Sequence, residues 1–131
     1  MEIDKAHFSH TKLVVNDLER CADFYREVCG MVEVGRAEAT MNGRDGSEIM
    51  FAPTADGGPM FVLVKFHGAT APQSAEVLLG FMTSDLEAFC ARVVAAGGHV
   101  AQGITDIPEH GAKAAFATDT EGNVLEVLQL V

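Results

Sequence analysis

Basic residues are scarce: nine Lys and Arg stand against nineteen Asp and Glu in 131 residues, giving a formal charge of -10 and a pI near 4.7. The nine form no run, so a nucleic-acid backbone would be repelled rather than gripped. Long apolar stretches are also missing. None approaches the roughly 20 residues a membrane helix needs, and the opening "MEIDKAHFSH" lacks the basic-then-apolar order of a signal peptide. The expectation is a cytoplasmic protein with neither nucleic acid nor membrane as partner. Cysteine is sparse and unpaired. Cys21, Cys29 and Cys90 are odd in number and form no CxxC, which argues against a disulfide framework and against a thiolate zinc site. Cys21 and Cys90 fall on the apolar stripes of their segments and read as core rather than as nucleophiles.

Apolar residues make up 48% of the chain, enough for one compact domain or for two small similar halves sharing a core. "HTKLVV" (10–15) is short, β-branched and partly alternating, and reads as a strand. The segment after it places Leu18, Cys21, Phe24, Tyr25 and Val28 at helical spacing. Asn16 or Asp17 can accept hydrogen bonds from the first free N–H groups, Glu19 suits the first turn, and Gly30 can close the helix in a left-handed conformation. Three extended pieces follow at 31–39, 47–53 and 59–66, separated by the turn-rich "NGRDG" and "TADGG". The order is β-α-β-β-β.

The same order recurs beyond a polar linker at 68–76: "VLLGFMT", a helix over 85–97, then "HVAQGI", "AKAAFATD" and "NVLEVLQLV". Asp17-Leu18 and Asp85-Leu86 open the two helices, and Gly30 and Gly97 fall at comparable ends. The chain therefore reads as an α+β protein of two tandem βαβββ modules, 8–67 and 77–131, curled into an incomplete barrel around a cleft. A concave sheet face of this kind is a usual place for a small molecule.

The residues at both ends resemble the vicinal oxygen chelate superfamily, which includes glyoxalases, bleomycin resistance proteins and extradiol dioxygenases. His10 opens the first strand, Asp17-Leu18 the helix, and Phe24-Tyr25 follows. "ATDTEGNVLEVLQ" (117–129) is similar to the closing Asp-Pro-x-Gly-Asn turn and its glutamate strand, with Thr120 in place of Pro. The resemblance covers nearly the whole chain and implies the fold more strongly than any one chemistry, since the superfamily contains lyases, isomerases, dioxygenases and metal-free binders. It also implies a homodimer, since superfamily chains of this size usually pair their modules across a two-fold axis.

In metal-dependent members the ion is held by the first and last strand of each half. His10 matches the first position and Glu126 the fourth. Leu78 falls at the third, and Val62 or Val64 at the second; none of these three side chains can bind a metal. The resemblance thus implies a half-empty site, with no cofactor or a weakly held Zn, Ni, Mn or Fe ion. His10 and Glu126 would serve as its ligands or as acid and base, and Val62, Val64, Leu78, Phe116 and His110 would line it. Glu48, His67 and His110 are the candidates to fill in, and Lys65 is expected to bring a cation beside the second position. Three functions compete: metal-independent binding of a small organic molecule, metal-dependent catalysis, and a structural or regulatory domain without a ligand.

Overall fold

A computed structural model of the chain describes residues 5–72 and 76–131; part of the linker, 73–75, lies outside them. The element order is β1 (His10–Val14), α1 (Leu18–Cys29), β2 (Glu33–Met41), β3 (Arg44–Phe51), β4 (Met60–Phe66), β5 (Leu78–Met82), α2 (Leu86–Ala95), β6 (His99–Ile107), the short 3-10 turn Pro108–His110, β7 (Ala112–Thr118) and β8 (Val124–Leu130). This is βαβββ twice. The strands form two separate four-stranded sheets of the same topology, β1-β4-β3-β2 and β5-β8-β7-β6. In each, the first strand lies parallel to the last and the other pairs are antiparallel.

Two strand boundaries differ from the sequence reading, for one local reason. "NGRDG" does not form a five-residue turn. Asn42 and Gly43 alone make it, with φ of 52° and 75°, and the ladder resumes at once with Met41 opposite Arg44. Asn-Gly tolerates positive φ at both central positions of a tight hairpin, and the twist of that turn suits the strands it joins. Strand β6 runs to Ile107, past the expected 104, through two register shifts against β7.

The chain divides into two compact units, one made of the described residues of Met1–Leu18 and Met31–Ala71, the other of Glu19–Gly30 with Pro72–Val131. In the first, Leu13 and Thr11 share a sheet face with Phe61, Leu63, Ile49 and Phe51, by ladder register. Leu63, Ile49 and Phe51 are fully buried there. Asn16 ties β1 to the start of the linker: its Oδ1 accepts from Ala71 N at 2.7 Å and its Nδ2 donates to Ala71 O at 3.3 Å. In the second unit, α2 covers the face bearing Leu125, Val127, Ala115 and Ala117 with Leu86, Phe89 and Val93. Asp85 caps this helix, its Oδ1 accepting from Ala88 N at 3.0 Å.

Helix α1 belongs with the second unit, although its sequence lies in the first module. Its buried stripe is Cys21, Ala22, Phe24, Tyr25 and Val28. The Tyr25 hydroxyl donates to Asp119 Oδ2 at 2.7 Å. Asp119 Oδ1 accepts from the backbone N–H of Glu121 and Asn123, at 2.8 and 3.0 Å, and Asn123 Nδ2 donates to Asp119 Oδ2 at 2.9 Å. Gly122 supplies a φ of 87°. The closing turn is therefore held by its own carboxylate, so Thr120 can stand where the superfamily has proline. Gly98 marks a close approach in the same unit: a Cβ there would stand 2.4 Å from Thr118 O and 2.7 Å from Phe24 Cε2.

Two outcomes are expected. Gly98→Ala destabilises by about 1–3 kcal/mol, the usual cost of overpacking, read as a lowered urea midpoint. Burial, reinforced by the Asp119 charge, holds the Tyr25 phenol well above its ordinary value of 10.0. Stability from this group is complete below that value and is lost as pH rises past it, because only the unfolded chain then releases the proton. Tyr25 is the single tyrosine and there is no tryptophan, so ultraviolet phenolate absorbance reports on it alone. At pH 10 it stays un-ionised while the chain is folded, and it ionises together with alkaline unfolding.

Candidate functional site

The ladders decide which positions correspond between the modules. His10 stands opposite Met60 and Lys12 opposite Val62; Leu78 stands opposite Val124 and Gly80 opposite Glu126. Leu78 is thus the counterpart of His10, Gly80 of Lys12, and Val62 of Glu126. Val64 lies one pleat further along. Two of the four positions carry donor atoms and two carry aliphatic side chains.

In the first unit the His10 face continues through Lys12 and Val14 on β1, Met60, Val62, Val64 and Phe66 on β4, Gly46, Glu48 and Met50 on β3, and Ala37 and Ala39 on β2. Val62 and Val64 are buried and His10 is exposed. His10 Nδ1 lies 2.6 Å from the Ser9 hydroxyl, which leaves Nε2 without a partner among the described residues. Glu48 is buried on this face and forms an ion pair with Lys12, whose Nζ also reaches Met41 Sδ at 3.3 Å. A carboxylate on an apolar face is costly unless paired and hydrogen-bonded, and Lys12 supplies that partner.

The residues expected to fill the vacant positions behave differently. Glu48 does reach the His10 face but is already committed to Lys12. Lys65 pairs in register with Ser47, on the opposite face, and its ammonium donates to Ala69 O; the cation beside Val62 is Lys12. His67 also turns away, its Nε2 2.9 Å from the Ser47 hydroxyl and 3.2 Å from Glu38 Oε1. There it borders a hollow of about 320 Å³ with Thr40, Asp45 and Gly46.

In the second unit, Glu126 lies between Gly80 on β5 and Phe116 on β7. Leu78, Met82, Val124 and Leu128 share its face, and Leu78 and Met82 are 55% and 64% exposed. Gly80 leaves open space where a Cβ would be. The Glu126 carboxylate is half-buried and has no hydrogen-bond or ion-pair partner among the described residues. His110, in the turn before β7, is exposed and at least four strand residues, about 13 Å, from the Phe116–Glu126 level. It does not join Glu126.

The donor set fits a divalent ion poorly. Among the described residues of the first unit, His10 is the one uncommitted nitrogen or carboxylate ligand on its face; in the second, Glu126 shares its face with His99, which stands opposite Thr118 on β6, two strands away from β8. No group of three or more His, Cys, Asp or Glu able to hold a metal occurs among the described residues.

The sequence profile of the Glyoxalase/Bleomycin resistance protein/Dioxygenase superfamily matches residues 7–127. The chain belongs to this superfamily. A comparison with curated proteins gives no match. Among solved structures the chain is similar to a glyoxalase family protein from Bacillus cereus, 16% identical with a TM-score of 0.82 over 100% of this chain and 99% of the other. A glyoxalase/bleomycin resistance protein from Albidiferax ferrireducens T118 is 26% identical, with a TM-score of 0.69 over 93% and 98%. A fosfomycin resistance protein from Listeria monocytogenes is 15% identical, with a TM-score of 0.69 over 94% and 90%. A superfamily this broad fixes the fold of its members and leaves each chemistry to the side chains on these faces.

The three cysteines are free, and Cys21 is buried. Burial pushes the Cys29 thiol up to about 12, against a smaller lowering by Arg92, and burial also raises Cys21 and Cys90. A raised thiol pKa contributes stability that is complete below its unfolded value of 9.0 and is lost as pH rises toward about 12. The loss for Cys29 is about 1.4 kcal/mol per pH unit in that window. Urea midpoints should fall above pH 9, less so in Cys29→Ala, and a thiol-specific reagent should label the folded protein slowly at lower pH.

Proposed function

We propose that the protein binds or sequesters a small organic molecule on an apolar sheet face, that of His10 in the first unit or that of Glu126 in the second, without requiring a metal ion. The observation that carries this reading is the pair of ladder counterparts, Leu78 for His10 and Val62 for Glu126: aliphatic groups stand at two of the superfamily's four ligand positions. In the first unit Val62 and its apolar neighbours lie beside His10 Nε2, and in the second Leu78 and Phe116 lie beside the Glu126 carboxylate, so each face joins an apolar surface to one polar contact. This division of labour is usual for small-molecule sites. The same two groups could act as acid and base if turnover occurs. A fosfomycin resistance protein among the structural neighbours is in keeping with a resistance or sequestration role but gives no substrate for this chain.

A metal-dependent lyase, isomerase or dioxygenase is the second reading, and retention of His10 and Glu126 favours it. Elemental analysis of the purified protein, followed by titration with Ni, Zn, Mn and Fe(II), separates the two. Metal-independent binding predicts sub-stoichiometric, weakly held metal; a tightly held stoichiometric ion would replace it by the second reading. His10→Ala and Glu126→Gln should each weaken ligand binding about tenfold, the effect of losing one hydrogen bond to a charged group, with little change in unfolding midpoint.

The proposal includes a homodimer in a reducing, cytoplasmic setting. β1 and β5 are edge strands of their sheets, with Val14, Leu78 and Met82 exposed on them, and such edges call for cover. Light scattering should give twice the monomer mass at micromolar concentration; a clean monomer removes the dimer.

A further inference from the structure

Charge is sorted between the faces of the first sheet in a way the overall balance does not require. By ladder register, the face opposite His10 carries Glu33, Glu38 and Asp45 with Arg36 and Lys65. The His10 face carries Lys12 and Arg44 with the single acid Glu48. In a chain of net charge -10, this face has an excess of positive charge. Arg44 is stacked over the Phe66 ring, 3.8 Å from its centroid, and marks one end. Lys12 is central, beside the buried Val62 and Val64.

Lys12 is also held in place. Its side chain is 36% exposed while that of Glu48 is 8% exposed, so the carboxylate fixes the ammonium from beneath and leaves it open above. An ammonium has three donors. One is directed to Glu48 and one to Met41 Sδ, which leaves the third for a ligand. His10, two residues away on the same strand and face, adds Nε2. Around these lie Val14, Met50, Met60 and Val62, with methionines that adapt to irregular shapes.

We infer that Lys12 is the anchor of an anion subsite, and that the first unit binds the carboxylate-type acid group of a ligand with an apolar body. Glu48 acts as a positioning residue that orients the ammonium. This rests on the small-molecule reading above and names its ligand class. Phenylacetate, phenylacetamide as its neutral counterpart, and amide chemical-shift mapping on the full chain provide the test. Phenylacetate should perturb β1, β3 and β4 and bind about tenfold more tightly than phenylacetamide, the difference a charge-assisted hydrogen bond supplies. Lys12→Arg should keep that preference.

Lys12→Met leaves Glu48 buried without its partner and could weaken the fold, so Lys12→Met/Glu48→Met, which replaces the pair by apolar groups of similar size, is measured beside it. In the double variant the tenfold preference should vanish while phenylacetamide binding is unchanged. Equal binding of acid and amide to the native protein, or a preference surviving in the double variant, overturns the anion subsite and leaves the small-molecule reading intact. Binding of neither probe to this face overturns both.

Discussion

The hydrogen bond from Tyr25 to Asp119 fixes the second unit. Both groups are buried, and losing a hydrogen bond to a charged, buried carboxylate costs about 1.5–3 kcal/mol. Asp119 also gathers the N–H groups of Glu121 and Asn123, so the turn between β7 and β8 has one shape. The ladder begins at Thr118 and Val124, directly after that turn, and Phe116 meets Glu126 one pleat later. The level at which Glu126 stands on its sheet thus follows from a contact on the other side of the same unit. A residue of the first module, on α1, sets the geometry of the last strand.

The two sheets solve the problem of a charged group on an apolar face in different ways. Glu48 is buried and bound to Lys12, so its charge is compensated within the chain. Glu126 is only half-buried and uncompensated, with a glycine on one side and an aromatic ring on the other. The first arrangement presents a lysine that is already oriented; the second presents a carboxylate with space beside it. Repetition of the fold has therefore not produced repetition of chemistry, since Lys12 and Gly80 occupy equivalent places.

Much of this was legible in the sequence. The tandem βαβββ order, both helix starts and the helix-ending Gly30 are local signals, carried by apolar spacing and by turn chemistry. Strand alternation also indicates that Lys12 shares the His10 face and that Glu126 shares its face with Val124 and Leu128. What is not local was not legible. The pairing of Lys12 with Glu48 depends on the β3–β4 register, and the same register sends Lys65 and His67 to the other face. The choice of Val62 over Val64 likewise needed the parallel ladder of β1 and β4. The grouping of α1 with the second unit has no local signature, because an amphipathic stripe shows that a helix is covered and not by what.

The edges of the sheets differ in a way that bears on solubility. β2, an edge of nine residues, points Arg36 and Glu38 outward, and β6, also nine, is broken twice in register. Charges and bulges of this kind discourage an unrelated strand from adding to a sheet. β1 and β5 are only five residues long and present Val14, Leu78 and Met82. The long edges are protected by their own side chains, whereas the short ones carry apolar side chains and offer an added strand few hydrogen bonds. Protection of the long edges against strand addition is thus a local property of Arg36, Glu38 and the irregular stretch of β6, separate from the net charge of the chain.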